Sequence, residues 1–137
     1  MVEIEDGVWA GEKVTPISSV GLYAPGGKNL YPSAVYMLAV PAVIAKVPEV
    51  ILLTPPRKDG SITDVILYAA QISGVKNIYK GGGAQAIAAM AYGTQTIARV
   101  QKVLGPCSPF GAAAKQMLGG IINPGMPAGP SDSIILC

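Results

Sequence analysis

The stretch from Tyr79 to Ala91, YKGGGAQAIAAMA, constrains the fold of this chain more than any other. Asn77-Ile78-Tyr79-Lys80 reads as a short strand. Gly81, Gly82 and Gly83 then supply a turn, and the Ala-rich run that follows has high helix propensity. A strand, a glycine turn and a helix in that order aim free backbone N–H groups and the positive end of a helix dipole at one spot. Such a spot suits a phosphate or another anion. The spacing Gly81-x-Gly83-x-x-Ala86 satisfies the dinucleotide fingerprint in its Ala-ending form. The same glycines serve equally well to let a helix pack closely on a sheet. The fingerprint also requires an acidic residue about 20 positions on for the ribose, and none occurs between Asp64 and Asp132. A standard Rossmann ribose clamp is excluded.

The rest of the chain falls into alternating elements around this turn. Residues 1–18 carry loosely alternating apolar positions broken by Gly7 and Gly11, a hairpin or edge segment in which Trp9 is either a core anchor or an interface residue. Val20 to Ala24 is a strand closed by Pro25-Gly26-Gly27. The run Gly21 to Lys28 has the wrong register for a phosphate loop, yet its glycine pair lets a ligand approach the backbone closely. A helix starts at Pro32, and Pro41 should kink or restart it before Val47. Val50 to Thr54 is a continuous apolar run, the mark of a central parallel strand. The next helix spans Ile62 to Ser73, with Val65, Ile66, Ala69, Ala70 and Ile72 as its apolar face and Gly74 as its stop. After the glycine-turn helix, Ile97-Ala98 reads as a short helical piece and Lys102 to Leu104 as a strand. Pro109 to Leu118 reads as a helix, and the tail from Ile121 holds a short strand, a bend and a terminal strand at Ser133 to Leu136.

Strands alternating with helices predict an α/β fold of three layers, with a doubly wound, mostly parallel sheet. With 137 residues the chain is expected to be one domain. Residues 1–18 form its edge segment, 19–132 its core and 133–137 a terminal strand. Ligands bind such sheets beyond the carboxyl ends of the strands. Here those ends are Tyr23–Gly27, Thr54–Pro56, Lys80–Gln85 and Gly105–Ser108, which should converge on one crevice.

Composition then removes several function classes. The sequence contains no histidine, which rules out imidazole as base, nucleophile partner or metal ligand. Cys107 and Cys137 show neither a disulfide framework nor zinc spacing, and Cys107 has no base partner to make it a nucleophile. The ten basic residues are scattered, so nucleic-acid binding is not expected. The longest uncharged stretch, Asn29 to Ala45, contains Pro32 and Pro41 and is shorter than the roughly 20 apolar residues of a spanning helix. No membrane association is expected, and with Glu3, Glu5 and Asp6 ahead of any apolar run a cytoplasmic location is. Only 13% of residues are charged, against about 25% in ordinary domains. An exposed apolar face covered by a second copy of the chain is the expected consequence.

The segments GLYAPGG (21–27), YPSAVYMLAVPA (31–42), TPP (54–56), GGAQAIAAMAYGT (82–94), VLGP (103–106) and PAGPSD (127–132) together resemble the histidinol dehydrogenase family, in order and over nearly the whole chain. Enzymes of that family are considerably longer and oxidise histidinol to histidine in two NAD-dependent steps, using zinc and a Glu-His acid–base pair. The resemblance implies an incomplete Rossmann-like, NAD-binding domain without the zinc ligands or the acid–base pair. It further implies that Tyr23 and Gln85 contact NAD. The family's third contact is an Asn in a GPGN motif, where this chain has Gly105-Pro106-Cys107-Ser108. Ser108 is shorter than Asn and lacks the amide's paired donor and acceptor, so weak NAD binding is expected. The expected cofactor-binding residues are thus Tyr23, Pro25, Gly26, Gly27, Gly83, Gln85 and Ser108, and Ser131 matches a Ser that touches histidinol in the family. Tyr23 equally suits a strand-capping role and Gln85 a turn-satisfying one. Two functions follow: a stand-alone NAD(H)-binding domain without complete catalysis of its own, which a separate catalytic chain could complete, or a scaffold that keeps the fold without the nucleotide.

Overall fold

In the computed structural model, which describes residues 1–26 and 30–126, the first two strands pair with each other. Strands β1 (Val2–Glu5) and β2 (Val8–Ala10) form an antiparallel hairpin with a bulge between Glu3 and Glu5. Gly7 takes a φ of 79° at the turn, and its N–H donates to Glu3 Oε1 at 3.1 Å. Every residue of the hairpin is exposed, including Trp9 at 58%, which is therefore no core anchor.

The remaining elements run β3 (Ser19–Tyr23), α1 (Pro32–Ile44), β4 (Glu49–Thr54), α2 (Asp64–Ile72), β5 (Asn77–Lys80), α3 (Gly83–Tyr92), β6 (Lys102–Leu104) and α4 (Pro109–Met117). The four later strands make one parallel sheet in the order β5-β4-β3-β6. Right-handed crossovers decide where the helices lie. From β3 the chain steps outward to β4 and β5, which places α1 and α2 on one face. It then returns past β3 to β6, and the reversed step places α3 on the other. Side-chain alternation in the strands serves both faces. Val20, Leu22 and Leu52 pack with Val35, Ala39, Ile66 and Ala70 of α1 and α2. Tyr23, Ile51, Leu53 and Val103 pack with Ala86, Ile87 and Met90 of α3. The predicted three-layer, doubly wound architecture is the observed one. Burying a side chain such as Leu52 or Ile51 completely contributes about 1.5–3 kcal/mol each.

Several local expectations are corrected. Helix α1 does not restart at Pro41 but runs through it as one helix to Ile44. The N–H that proline lacks would have bonded the carbonyl of Met37, and Met37 is exposed, so water can serve that carbonyl. Ile97-Ala98 is not helical. The Thr94 hydroxyl accepts the N–H groups of Thr96 and Ile97 at 3.2 and 2.9 Å, closing a turn that competes with helix there. On α2 the buried stripe is Ile66, Ala69 and Ala70, while Val65 and Ile72, seven positions apart, flank it in the open. Near residue 121 the expected strand is reduced to a single parallel bridge between Lys102 and Asn123. The expected terminal strand at 133–137 lies outside the described residues.

Candidate functional site

Reversal of the winding between β3 and β6 leaves the carboxyl ends of these two strands uncovered by any crossover between them, the arrangement in which α/β sheets bind ligands. A cavity of about 570 Å³ lies there, lined by Pro25 after β3, by Tyr31, Ser33, Ala34, Met37 and Leu38 at the start of α1, and by Pro106, Cys107 and Ser108 after β6. Its wall is mostly apolar, which suits a planar ring better than a charged group. Gly105 brings the two strand ends together. Its φ is +123°, and a Cβ there would run into the carbonyl oxygen of Tyr23. Lys115 Nζ donates to the Gly105 carbonyl at 2.7 Å and ties the loop to α4.

A second cavity, of about 510 Å³, opens between the ends of β3 and β4 and is lined by Gly26, Leu30, Thr54, Pro55, Pro56, Arg57, Lys58, Thr63 and Ile66. Gly26 and Gly82 both press on Pro55, since a Cβ on either would come within 3.0 and 3.1 Å of that residue. The expectation of one crevice is therefore corrected. Pro25 and Gly26 fall on two separate cavities, and Lys80–Gln85 lines neither. The cause is the strand order, because β6 and β4 flank β3 on opposite sides.

The third cluster is the glycine turn. Tyr23, only 4% exposed, reaches across from β3, and its hydroxyl accepts the N–H of Gly83 at 3.2 Å. Gly83 opens α3 at a φ of 63°, and Gln85 lies exposed on the first turn of that helix. So the sequence-derived residues divide. Tyr23, Gly83 and Gln85 gather at the start of α3, while Pro25 and Ser108 line the apolar cavity and Gly26 the other. Ser108 also serves as N-cap of α4, accepting the Gly111 N–H at 3.5 Å with Pro109 as the first helical residue. Gly27 and Ser131 lie outside the described residues.

The α1 residues of the apolar cavity escaped the sequence reading. Apolar residues surround α1, so no stripe singled them out; the signal was positional, because the helix after the first strand must start above that strand's end. Among the described residues no group of three or more His, Cys, Asp or Glu could hold a metal ion. No helix among them is long and apolar enough to cross a membrane. A carboxyl with a lowered pKa, that of Asp59, lies on the loop beside the second cavity. There the Ser61 side chain, then its N–H, hydrogen-bond Asp59 and, with Arg57 nearby, hold its carboxyl below the ordinary value.

Comparison with known proteins places these features. The family model for histidinol dehydrogenase matches residues 1–137. Histidinol dehydrogenase from Synechocystis sp. is 54% identical over 136 residues, which are 99% of this chain and 31% of that protein. A histidinol dehydrogenase homolog from Cereibacter sphaeroides is 53% identical over 134 residues, 98% of this chain and 30% of its own length. The crystal structure of histidinol dehydrogenase from Elizabethkingia anophelis matches with a TM-score of 0.82 at 46% identity, covering 85% of this chain and 27% of that one. The chain spans under a third of the length of these curated relatives.

Proposed function

We propose, from the premise that this chain belongs to the histidinol dehydrogenase family, that it is an NAD(H)-binding module of oxidoreductase type whose nucleotide site is the cavity between the ends of β3 and β6. That cavity is the observation carrying the reading: it has room for a planar ring, apolar walls and the switch-point position. Bound NAD supplies a hydride acceptor. The chain's own residues bind and orient. Pro25, Met37 and Pro106 keep water from a ring in the cavity, and Tyr23 fixes the glycine turn through Gly83. The exposed Gln85 amide offers a donor and an acceptor at the start of α3.

These residues do not fit a zinc site. The sequence has no histidine, and the described acidic residues and cysteine form no cluster. Complete catalysis therefore needs metal, acid and base from outside these 137 residues. A second reading, a scaffold that does not bind nucleotide, is favoured by one observation. The Tyr23 and Ser108 hydroxyls already have backbone partners, Gly83 and Gly111.

Calorimetric titration with NAD⁺ and NADH, with ATP and AMP as controls, separates the two. Saturable one-site binding is expected, weakened about tenfold or more, or about 1.4 kcal/mol, by Ala34→Trp, which fills the cavity from α1. Absence of heat at millimolar NADH would overturn the nucleotide reading and leave the scaffold.

A further inference from the structure

The second cavity carries a charge arrangement that the apolar one lacks. Arg57 and Lys58 follow β4 after Pro55-Pro56 and both line it, together with the buried hydroxyl residues Thr54 and Thr63. Thr63 is the N-cap residue of α2, yet its side chain makes no capping bond. Its Oγ1 accepts Nε of Arg57 at 3.1 Å instead. This exchange has two electrostatic effects. It leaves the first N–H groups of α2 without a side-chain cap. It also fastens a guanidinium at the positive end of that helix, where a cation is unfavourable and an anion is stabilised. Two acidic residues are near. Asp59 has Oδ1 engaged by the N–H and hydroxyl of Ser61 at 2.9 and 2.7 Å, and Asp64 occupies the first turn of α2, exposed. They offset part of the positive field without entering the lining.

We infer that this cavity is an oxyanion subsite of the phosphate class. Arg57 has the planar fork that matches phosphate oxygens, Lys58 adds a point charge, and Gly26 permits close backbone approach. The inference rests on the nucleotide reading for its physiological ligand. Pro25 lines the apolar cavity and the next residue, Gly26, lines the cationic one, so the inference sets a nucleotide's ring among Pro25, Met37 and Pro106 and its phosphates toward Arg57.

The test uses the full 137-residue chain and three probes: inorganic pyrophosphate, NADH and adenosine, which carries no phosphate. Both cations are exposed, so Arg57→Gln/Lys58→Gln should fold normally, and a thermal melt checks that. Pyrophosphate is expected to bind the parent chain with an affinity that falls with salt. The double variant should lose about tenfold or more for pyrophosphate and NADH, and nothing for adenosine. Equal NADH affinity in parent and variant overturns the subsite while leaving the nucleotide reading in place. Pyrophosphate binding that the variant abolishes, without NADH binding in the parent, upholds the subsite and removes the nucleotide reading. No pyrophosphate binding at millimolar concentration overturns the subsite outright.

Discussion

Tyr23 illustrates how a side chain's role depends on a partner distant in sequence. Its ring is buried under α3 and its hydroxyl satisfies the Gly83 amide 60 residues away, joining the first strand of the sheet to the glycine turn. In Tyr23→Phe the ring volume stays and the acceptor is lost, so the Gly83 amide must find water or go unpaired. The expected cost is about 1 kcal/mol, read from a urea midpoint, with faster hydrogen exchange confined to the start of α3. An unchanged midpoint together with unchanged exchange would show that the bond does not hold the turn. Ser108 makes a comparable point. The family resemblance led to the expectation of a shortened ligand contact there, whereas in the fold it caps α4. A motif position reports residue type; only its neighbours report what its hydroxyl touches.

At the level of elements, α1 and α2 end in the same way with different residues. In α2 the N–H of Val75 reaches Ala70 and that of Gly74 reaches Gln71, with Gly74 at a φ of 83°. In α1 the N–H of Val47 reaches Ala42 and that of Lys46 reaches Val43, but here a lysine holds the left-handed position, at a φ of 58°. Both are Schellman endings, and only one has the residue that adopts such a φ without strain. Lys46→Gly should therefore raise stability by about 0.5–1 kcal/mol, net of the greater freedom glycine has in the unfolded chain. A urea melt checks it, and a midpoint that falls would mean that the Lys46 side chain stabilises the fold in some other way. The stop after α2 was legible because Gly74 announces it. The stop after α1 was legible only as lying before Val47, because Lys46 carries no turn signal.

For the whole molecule, the low charge expected to leave apolar surface exposed does so. On α1 and α2, Ile44 is 74% exposed, Tyr68 65% and Ile72 64%, too much large apolar surface on two adjacent helices for ordinary scatter. We propose that a second copy of the chain covers this face, giving a homodimer. Light scattering across micromolar concentrations should show a dimer, and Ile44→Glu/Tyr68→Glu should shift it to monomer without loss of helical signal. A monomer at high micromolar concentration in the parent chain would overturn this.

The sequence by itself determined the kinds of element and most of their limits. β5 and β6 have the limits read from the sequence, Asn77–Lys80 and Lys102–Leu104, and α3 runs from the glycine turn to Gly93. It also determined the absence of imidazole chemistry. These are local properties, set by periodicity, propensity and residue type. Tertiary structure alone decided that β6 pairs with β3 on the side away from β4, and hence that the strand ends feed two cavities, one apolar and one cationic. Local sequence does not specify that order. It arises from non-local backbone pairing and the handedness of the crossovers, which place residues far apart in the chain around one space.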